Sequence, residues 1–149
     1  MMKKNLSLYS IFLFLAVCLF SSCELEMSDN GKLDGYWHLE KISSVSSTDT
    51  TDLSQMKRFW AFQNHLLYLS EIDGTANEFI MHFSYEGQTV SIYDVHYNDR
   101  DNGDPELTDA SLLAPYGIES LQQTFQVEKL TSNKLILASE NQKLSFTKL

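Results

Sequence analysis

The chain has 149 residues, with 11 Lys and Arg against 20 Asp and Glu, and its formal net charge is −9. This acidic balance argues against nucleic acid as a partner, because nucleic-acid affinity depends on basic side chains that neutralise phosphates. It argues equally against electrostatic docking on anionic lipid. Hydrophobic residues make up 43% and aromatic residues 12%, which excludes intrinsic disorder. We therefore expect one acidic, aromatic-rich folded domain.

Residues 1–22 are typical of an export signal. Two lysines near the N-terminus precede an unbroken apolar run of ten, residues 11–20. A membrane-spanning helix needs about 20 apolar residues, so this run is too short to span and fits a signal peptide. Two serines and then Cys23 follow the run, and this order resembles the lipobox of bacterial lipoproteins. The resemblance implies that the Cys23 sulfur receives diacylglycerol, that cleavage occurs before Cys23, and that the new amino group is acylated.

Lipidation of Cys23 would determine the cellular location of the protein. Several acyl chains anchor a protein to a bilayer effectively permanently, so the expected site is the outer membrane of a bacterial envelope, on its periplasmic or surface face. Residues 24–32 are polar and acidic, and residues 23–32 are interpreted as the lipidated cysteine and a flexible tether. Cys18 leaves with the signal, so the mature chain has no thiol for a disulfide or a metal. An ordinary signal peptide cut near Ser22 and an uncleaved anchor are the alternatives.

From residue 33 onward, apolar and polar residues alternate with the period of a β-strand. In residues 79–85 the two Phe, the Met and the Tyr share one face, and Ile, His and Ser share the other. Turn-forming residues separate such segments. The pattern predicts eight strands, at residues 33–43, 57–63, 66–71, 78–85, 89–97, 121–130, 134–138 and 143–149.

Three segments show the strand pattern less clearly than the rest. Residues 53–69 also fit a helical stripe, but three aromatic residues within four favour two strands around an Asn64-His65 turn. The first strand is predicted to place Trp37, Leu39 and Lys41 on one face. One short helical turn is expected near residues 108–114, with Thr108 or Asp109 as its cap and Pro115 at its end.

Eight short strands without a long helix predict an all-β fold. Most of the predicted connections are short, which favours antiparallel neighbours. The expected architecture is therefore an eight-stranded up-and-down antiparallel β-barrel over residues 33–149. A barrel of this size is filled by its own side chains or holds one small ligand.

Two features of the sequence resemble lipocalins. Gly35-Tyr36-Trp37 opens the first predicted strand and resembles the lipocalin Gly-x-Trp signature. The resemblance implies that Gly35 lets the chain turn tightly as it enters the first strand and that Trp37 closes one end of the barrel. It also implies a basic side chain from the last strand over the tryptophan, either Lys148 or Lys143.

A longer resemblance covers nearly the whole mature chain. Residues 59–63, 113–118, 125–132 and 144–148 together are similar to small lipocalin-like lipoproteins of Gram-negative gut and oral bacteria. The resemblance implies a barrel fold and a lipoprotein signal peptide. No chemistry is assigned to those proteins, so it implies no catalytic residue.

Candidate catalytic and metal-binding residues are sparse. The four histidines lie in different predicted strands or turns, without metal-ligand spacing. Asp99, Asp101 and Asp104 surround Gly103, but the glycine falls at the fifth position of the loop, where a calcium-binding EF-hand needs it at the sixth. Asp94 lies beside aromatic residues, which would raise its pKa. We expect no catalysis, no metal and no cofactor.

The sequence leaves two hypotheses for function open. In the first, the barrel binds a small apolar ligand in a cavity lined by Trp60, Phe62, Phe83 and Tyr85. In the second, these side chains fill the interior, and the barrel is a protein-interaction or accessory module of an envelope complex. A cavity of about 300–1,000 Å³ would favour the first hypothesis.

Overall fold

The computed structural model describes residues 28–149. The nine strands are β1 (Gly35–Ser44), β2 (Thr50–Asp52), β3 (Arg58–Gln63), β4 (Leu66–Glu71), β5 (Phe79–Glu86), β6 (Thr89–Tyr97), β7 (Gln123–Leu130), β8 (Lys134–Ala138) and β9 (Gln142–Lys148). Three short 3₁₀ helices span Gly31–Leu33, Arg100–Asn102 and Ala110–Tyr116. Among the residues described, no helix is long and apolar enough to cross a membrane.

The strands form a closed antiparallel barrel. From β3 onward each strand pairs with the next, β1 pairs with β3, and β1 also pairs with β9 to close the sheet. Eight strands, β1 and β3 to β9, make up the barrel, and the short β2 extends the edge of β1 at residues 41–43. The predicted eight-stranded up-and-down barrel is confirmed.

Alternation of side chains builds the core. In β5 the residues Phe79, Met81 and Phe83 are buried, whereas Ile80 and His82 between them are partly exposed. In β1 the inward residues are Trp37 and Leu39, but Lys41 is exposed. The register of β1 against β9 shifts between Leu39 and Lys41, so that an extra residue turns Lys41 outward. The prediction that Lys41 shares the face of Trp37 is therefore wrong.

The ambiguous segment at residues 53–69 forms the two predicted strands. Asn64 has a φ of 54°, the left-handed conformation that Asn tolerates in tight turns. This turn brings β3 and β4 into register, with Trp60 opposite Leu69. The helical turn predicted near residues 108–114 is the 3₁₀ helix Ala110–Tyr116, and the Asp109 side chain accepts a hydrogen bond from the Ser111 amide at its start.

Residues 28–32, within the predicted tether, contact the barrel. The Asn30 side chain is buried, and its Nδ2 donates to the Asn64 carbonyl oxygen at 2.6 Å and to Asp34 Oδ1 at 2.9 Å. Leu33 is fully buried. These contacts place residues 28–32 at the end of the barrel where β1 begins. The predicted signal, residues 1–22, and Cys23 lie outside the described residues.

Candidate functional site

The barrel is closed at the end where β1 begins. Trp37 is fully buried, and its Nε1 donates a 2.7 Å hydrogen bond to the Leu33 carbonyl oxygen. Lys148, the residue opposite Trp37 in β9, places its Nζ 4.9 Å from the centroid of the Trp37 ring. The same Nζ donates to the Lys32 carbonyl oxygen at 2.8 Å. Of the two lysines named from the sequence, Lys148 is the one that covers the tryptophan.

Gly35 is required by this closed end. Its φ is 116°, a conformation that side-chain-bearing residues rarely adopt. A Cβ at this position would lie 2.8 Å from Lys148 Cε. The glycine therefore permits both the backbone conformation and the approach of Lys148 to Trp37.

Aromatic side chains fill the middle of the barrel. The Trp60 ring lies 5.2 Å from the Phe146 ring, 5.8 Å from the Phe125 ring and 6.0 Å from the Phe62 ring, measured between centroids. Phe62 in turn packs edge-on against Phe83 at 5.0 Å. Trp60, Phe62 and Phe83 are buried to 1% exposure or less. These three residues, named from the sequence as a cavity lining, belong to the buried core cluster and pack together with Phe125 and Phe146.

Tyr85, the fourth residue named from the sequence, packs against the edge of the same core. It is only partly buried, and it lines a hollow of about 460 Å³ together with Asn30, Lys32 and Gln88, at the end of the barrel where the described chain begins. Tyr85 thus lies between the packed interior and this hollow.

One polar atom in the packed interior has no partner among the described residues. Trp60 Nε1 is buried without a hydrogen bond, unlike Trp37 Nε1. A buried, unpaired donor costs about 1–3 kcal/mol. Trp60 thus contributes its large apolar surface to the core, while its N–H offsets part of that stabilisation.

The opposite end of the barrel is covered by the 3₁₀ helix Ala110–Tyr116. Tyr116 is fully buried, and its hydroxyl donates to the Asn77 carbonyl oxygen at 2.8 Å. Arg58 Nη1 donates to the Pro115 carbonyl oxygen at 3.0 Å, and its Nε pairs with Glu71 at 3.3 Å. The side chains of Arg58 and Glu71 are 15% and 4% exposed. These contacts hold the helix over the opening of the barrel.

An outward-facing cluster joins two histidines to one aspartate. Asp94 Oδ2 lies 2.8 Å from His82 Nδ1, and its Oδ1 lies 3.0 Å from His96 Nε2. The other ring nitrogen of His96 lies 2.8 Å from the Asp104 carbonyl oxygen. Both partners of His96 are acceptors, so both contacts are hydrogen bonds only when the imidazole carries two protons.

Charge and hydrogen bonding shift two pKa values in this cluster. The hydrogen bonds from His96 and His82 lower the pKa of Asp94, which corrects the sequence expectation of a raised pKa. The hydrogen bond to the Asp104 carbonyl and the Asp94 carboxylate raise the pKa of His96. Among residues 28–149, no group of three or more potential metal ligands has metal-binding geometry.

The sequence could not reveal this cluster. The register between β5 and β6 shifts between Ile80 and His82, and Asp94 has a φ of 55° within the resulting bulge. The bulge turns Asp94 toward both histidines. The alternation of apolar and polar residues along β5 and β6 contains no sign of a bulge.

The closed eight-stranded barrel with a tryptophan at its closed end and a lysine over it defines the class as a lipocalin-like barrel. A family model described as a lipocalin-like domain matches residues 18–149. The chain belongs to this lipocalin-like family. No curated protein matches the chain.

Two solved structures share the fold. One is a lipocalin-like protein from Bacteroides uniformis, with 23% identity and a TM-score of 0.60 over 80% of this chain and 100% of that chain. The other is described as an uncharacterized protein from Bacteroides eggerthii, with 22% identity and a TM-score of 0.55 over 78% of this chain and 98% of that chain. At this level of identity the likeness concerns the fold alone.

Proposed function

We propose that this protein is a lipid-anchored lipocalin-like module of the bacterial outer membrane that acts by recognition at its outer surface rather than by catalysis or by carrying an apolar ligand inside. The observation that carries the proposal is the packed interior around Trp60. Lipocalin-like barrels that enclose a ligand need an open volume there, and in this chain aromatic rings occupy it.

Both ends of the barrel support the same conclusion. Trp37 and Lys148 close one end, and the 3₁₀ helix Ala110–Tyr116 covers the other. A ligand would have to displace Tyr116 and break the contact between Arg58 and Pro115 before meeting the filled core. A module that works through its outer surface requires no such rearrangement.

The proposed anchor is compatible with the position of residue 28. Cys23 precedes Ser28 by five residues, a span of at most about 18 Å when fully extended. Residues 28–32 contact the end closed by Trp37. A lipid on Cys23 would therefore keep that end of the barrel close to the bilayer, with the other end directed away.

Native mass spectrometry of the protein purified from its own host tests the filled barrel. We expect the mass of the acylated chain with no further apolar molecule attached. A stoichiometric apolar ligand that remains bound would contradict the proposal and would favour the carrier hypothesis.

The anchor needs a separate test, by metabolic labelling with a fatty acid. Cys23→Ala should abolish acyl labelling and leave the chain uncleaved by the lipoprotein pathway, whereas Cys18→Ala should leave both unchanged. Labelling that persists in Cys23→Ala would show that the anchor lies elsewhere.

A further inference from the structure

A hollow of about 490 Å³ lies on the outer wall of the barrel, away from the packed core. Its centre is a row of residues on four adjacent strands, in which Tyr36 is opposite Ala61, Ala61 opposite Tyr68, and Tyr68 opposite Ile80. Residues directly opposite each other in a sheet point to the same face. Since the adjacent Trp37 and Trp60 point inward, this row points outward.

The small Ala61 makes the row concave. Tyr36 and Tyr68 are two strands apart, about 9.5 Å at the usual strand spacing. Ala61, which is 9% exposed, rises between them by a single methyl group, so the two phenol rings flank it on either side of the hollow. Tyr36 is 52% exposed, so its ring is available to a ligand. The hollow of about 490 Å³ is large enough for one ring of a ligand.

Tyr68 is held in place before any ligand arrives. Its hydroxyl donates to Glu78 Oε2, which also accepts a 3.2 Å hydrogen bond from Asn98 Nδ2. Burial and the hydrogen bond to Glu78 raise the pKa of Tyr68 to about 12, so the phenol stays neutral. A fixed wall costs less ordering entropy on binding than a mobile one.

The polar lining restricts what the cleft can bind. Asp34, Gln63, Asn98 and Arg100 surround the apolar centre. A purely apolar ligand would desolvate these polar groups, although Asp34 already pairs with Asn30, Asn98 with Glu78 and Arg100 with Asp104. An anion would meet Asp34 in a chain of net charge −9, and a cation would meet the Arg100 guanidinium. The remaining chemistry is a neutral ring that is apolar on its faces and polar around its edge.

A sugar ring has this chemistry. The C–H bonds on the face of a pyranose are weakly positive and stack on the negative face of an aromatic ring. Its hydroxyl groups, both donors and acceptors, pair with planar amide, carboxylate and guanidinium side chains. We propose that the cleft between Tyr36 and Tyr68 binds a neutral saccharide. The proposal rests on the proposed function, because it identifies what the outer surface recognises.

A glycan array of neutral oligosaccharides, probed with the detergent-solubilised full chain, tests the proposal. We expect saturable binding to at least one glycan, which is then titrated by calorimetry. Tyr36→Ala and Tyr68→Ala should each raise the Kd about tenfold. Tyr93→Ala is the matched control, because Tyr93 is an exposed tyrosine outside the cleft, and its Kd should stay within about twofold of the wild type.

Two further variants separate a sugar from other ring-shaped ligands. Tyr68→Phe keeps the ring and loses only the contact with Glu78, so its Kd should rise by less than that of Tyr68→Ala. Gln63→Leu should weaken saccharide binding but strengthen binding of indole, an apolar planar probe. Melting temperatures of all variants show whether a loss of binding reflects unfolding.

The outcomes distinguish this proposal from the proposed function. Absence of saturable binding to every neutral glycan, or equal losses in Tyr93→Ala and Tyr36→Ala, overturns the saccharide cleft while leaving the surface-recognition module intact. Indole binding that Tyr36→Ala abolishes, without glycan binding, also overturns it. An apolar ligand retained inside the barrel overturns the proposed function whatever the array shows.

Discussion

Lys148 Nζ lies 4.9 Å from the centroid of the Trp37 ring and binds the Lys32 carbonyl oxygen, so that one ammonium group ties the last strand to the first strand and to the segment that precedes it. The two residues are directly opposite each other where β9 closes the barrel onto β1. This contact joins the beginning and the end of the domain at one point.

Lys148→Met keeps the aliphatic stem and removes the charge. Loss of the cation–π contact and of the hydrogen bond to Lys32 should lower the free energy of unfolding by about 1 kcal/mol. Urea unfolding followed by tryptophan fluorescence measures the loss. Lys143→Met, on the same strand but in a solvent-exposed pair with Glu128, is the control and should change stability by less than about 0.5 kcal/mol. Equal losses of unfolding free energy in the two variants would show that the contact between Lys148 and the Trp37 ring does not stabilise the barrel more than a surface ion pair.

Gly35→Ala should destabilise the barrel by about 2 kcal/mol or more, because a φ of 116° is strained for alanine and the new Cβ would meet Lys148 Cε. The control is Gly87→Ala, where φ is 61° and a Cβ would meet nothing within 4 Å. Thermal unfolding should show a clearly larger drop in Tm for Gly35→Ala. Similar drops in Tm for the two variants would mean that the backbone at residue 35 changes conformation to accommodate the alanine side chain.

Trp60→Phe should cost less stability than Trp37→Phe. The first substitution removes a buried N–H that has no partner among the described residues, whereas the second leaves the Leu33 carbonyl oxygen without its donor. The second loss should exceed the first by about 1–3 kcal/mol. Urea unfolding of the two variants gives the difference directly, and the reverse order would mean that Trp60 Nε1 has a polar partner in solution.

The cluster of His82, Asp94 and His96 should make stability depend on pH. His96 has a raised pKa in the folded chain, so its stabilising contribution is complete below its unfolded pKa of about 6.5 and is lost as pH rises through the folded pKa. The pKa of Asp94 is lowered, so this carboxyl stays ionised across that range. The difference in Tm between wild type and His96→Gln should therefore be larger near about pH 5.5 than near about pH 8.5.

The control for this pH dependence is His65→Gln, which changes an exposed histidine in the β3–β4 turn. Its Tm difference from wild type at the two pH values gives the background against which the His96→Gln difference is judged. If the His96→Gln difference stayed constant or grew with rising pH, the doubly protonated His96 bridging Asp94 and Asp104 would be refuted.

The barrel could be predicted from the sequence because burial alternates along its strands, as Phe79, Met81 and Phe83 illustrate. The short strand β2 could not, because Thr50–Asp52 is exposed and has no apolar residue; pairing with the edge of β1 holds it. The bulge that turns Lys41 outward leaves no local signal either.

The surface sites depend on register between strands that are distant in sequence. Tyr36, Ala61 and Tyr68 form a cleft only because three strands align them in one row. His82 and His96 both contact Asp94 only because a bulge reorients its side chain. The Gly35-Tyr36-Trp37 motif, by contrast, is contiguous and could be recognised directly.

The comparison of Trp60→Ala with Trp37→Ala tests the filled barrel most directly. In a packed interior both substitutions should lower the free energy of unfolding strongly, by about 3–5 kcal/mol each, with Trp37→Ala the larger loss because it also removes the hydrogen bond to Leu33; urea unfolding measures both. If Trp60 bordered an open or exchangeable cavity, Trp60→Ala would cost much less than Trp37→Ala and would change binding of an apolar probe instead. A Trp60→Ala variant within about 0.5 kcal/mol of wild type, beside a strongly destabilised Trp37→Ala, would contradict the filled barrel.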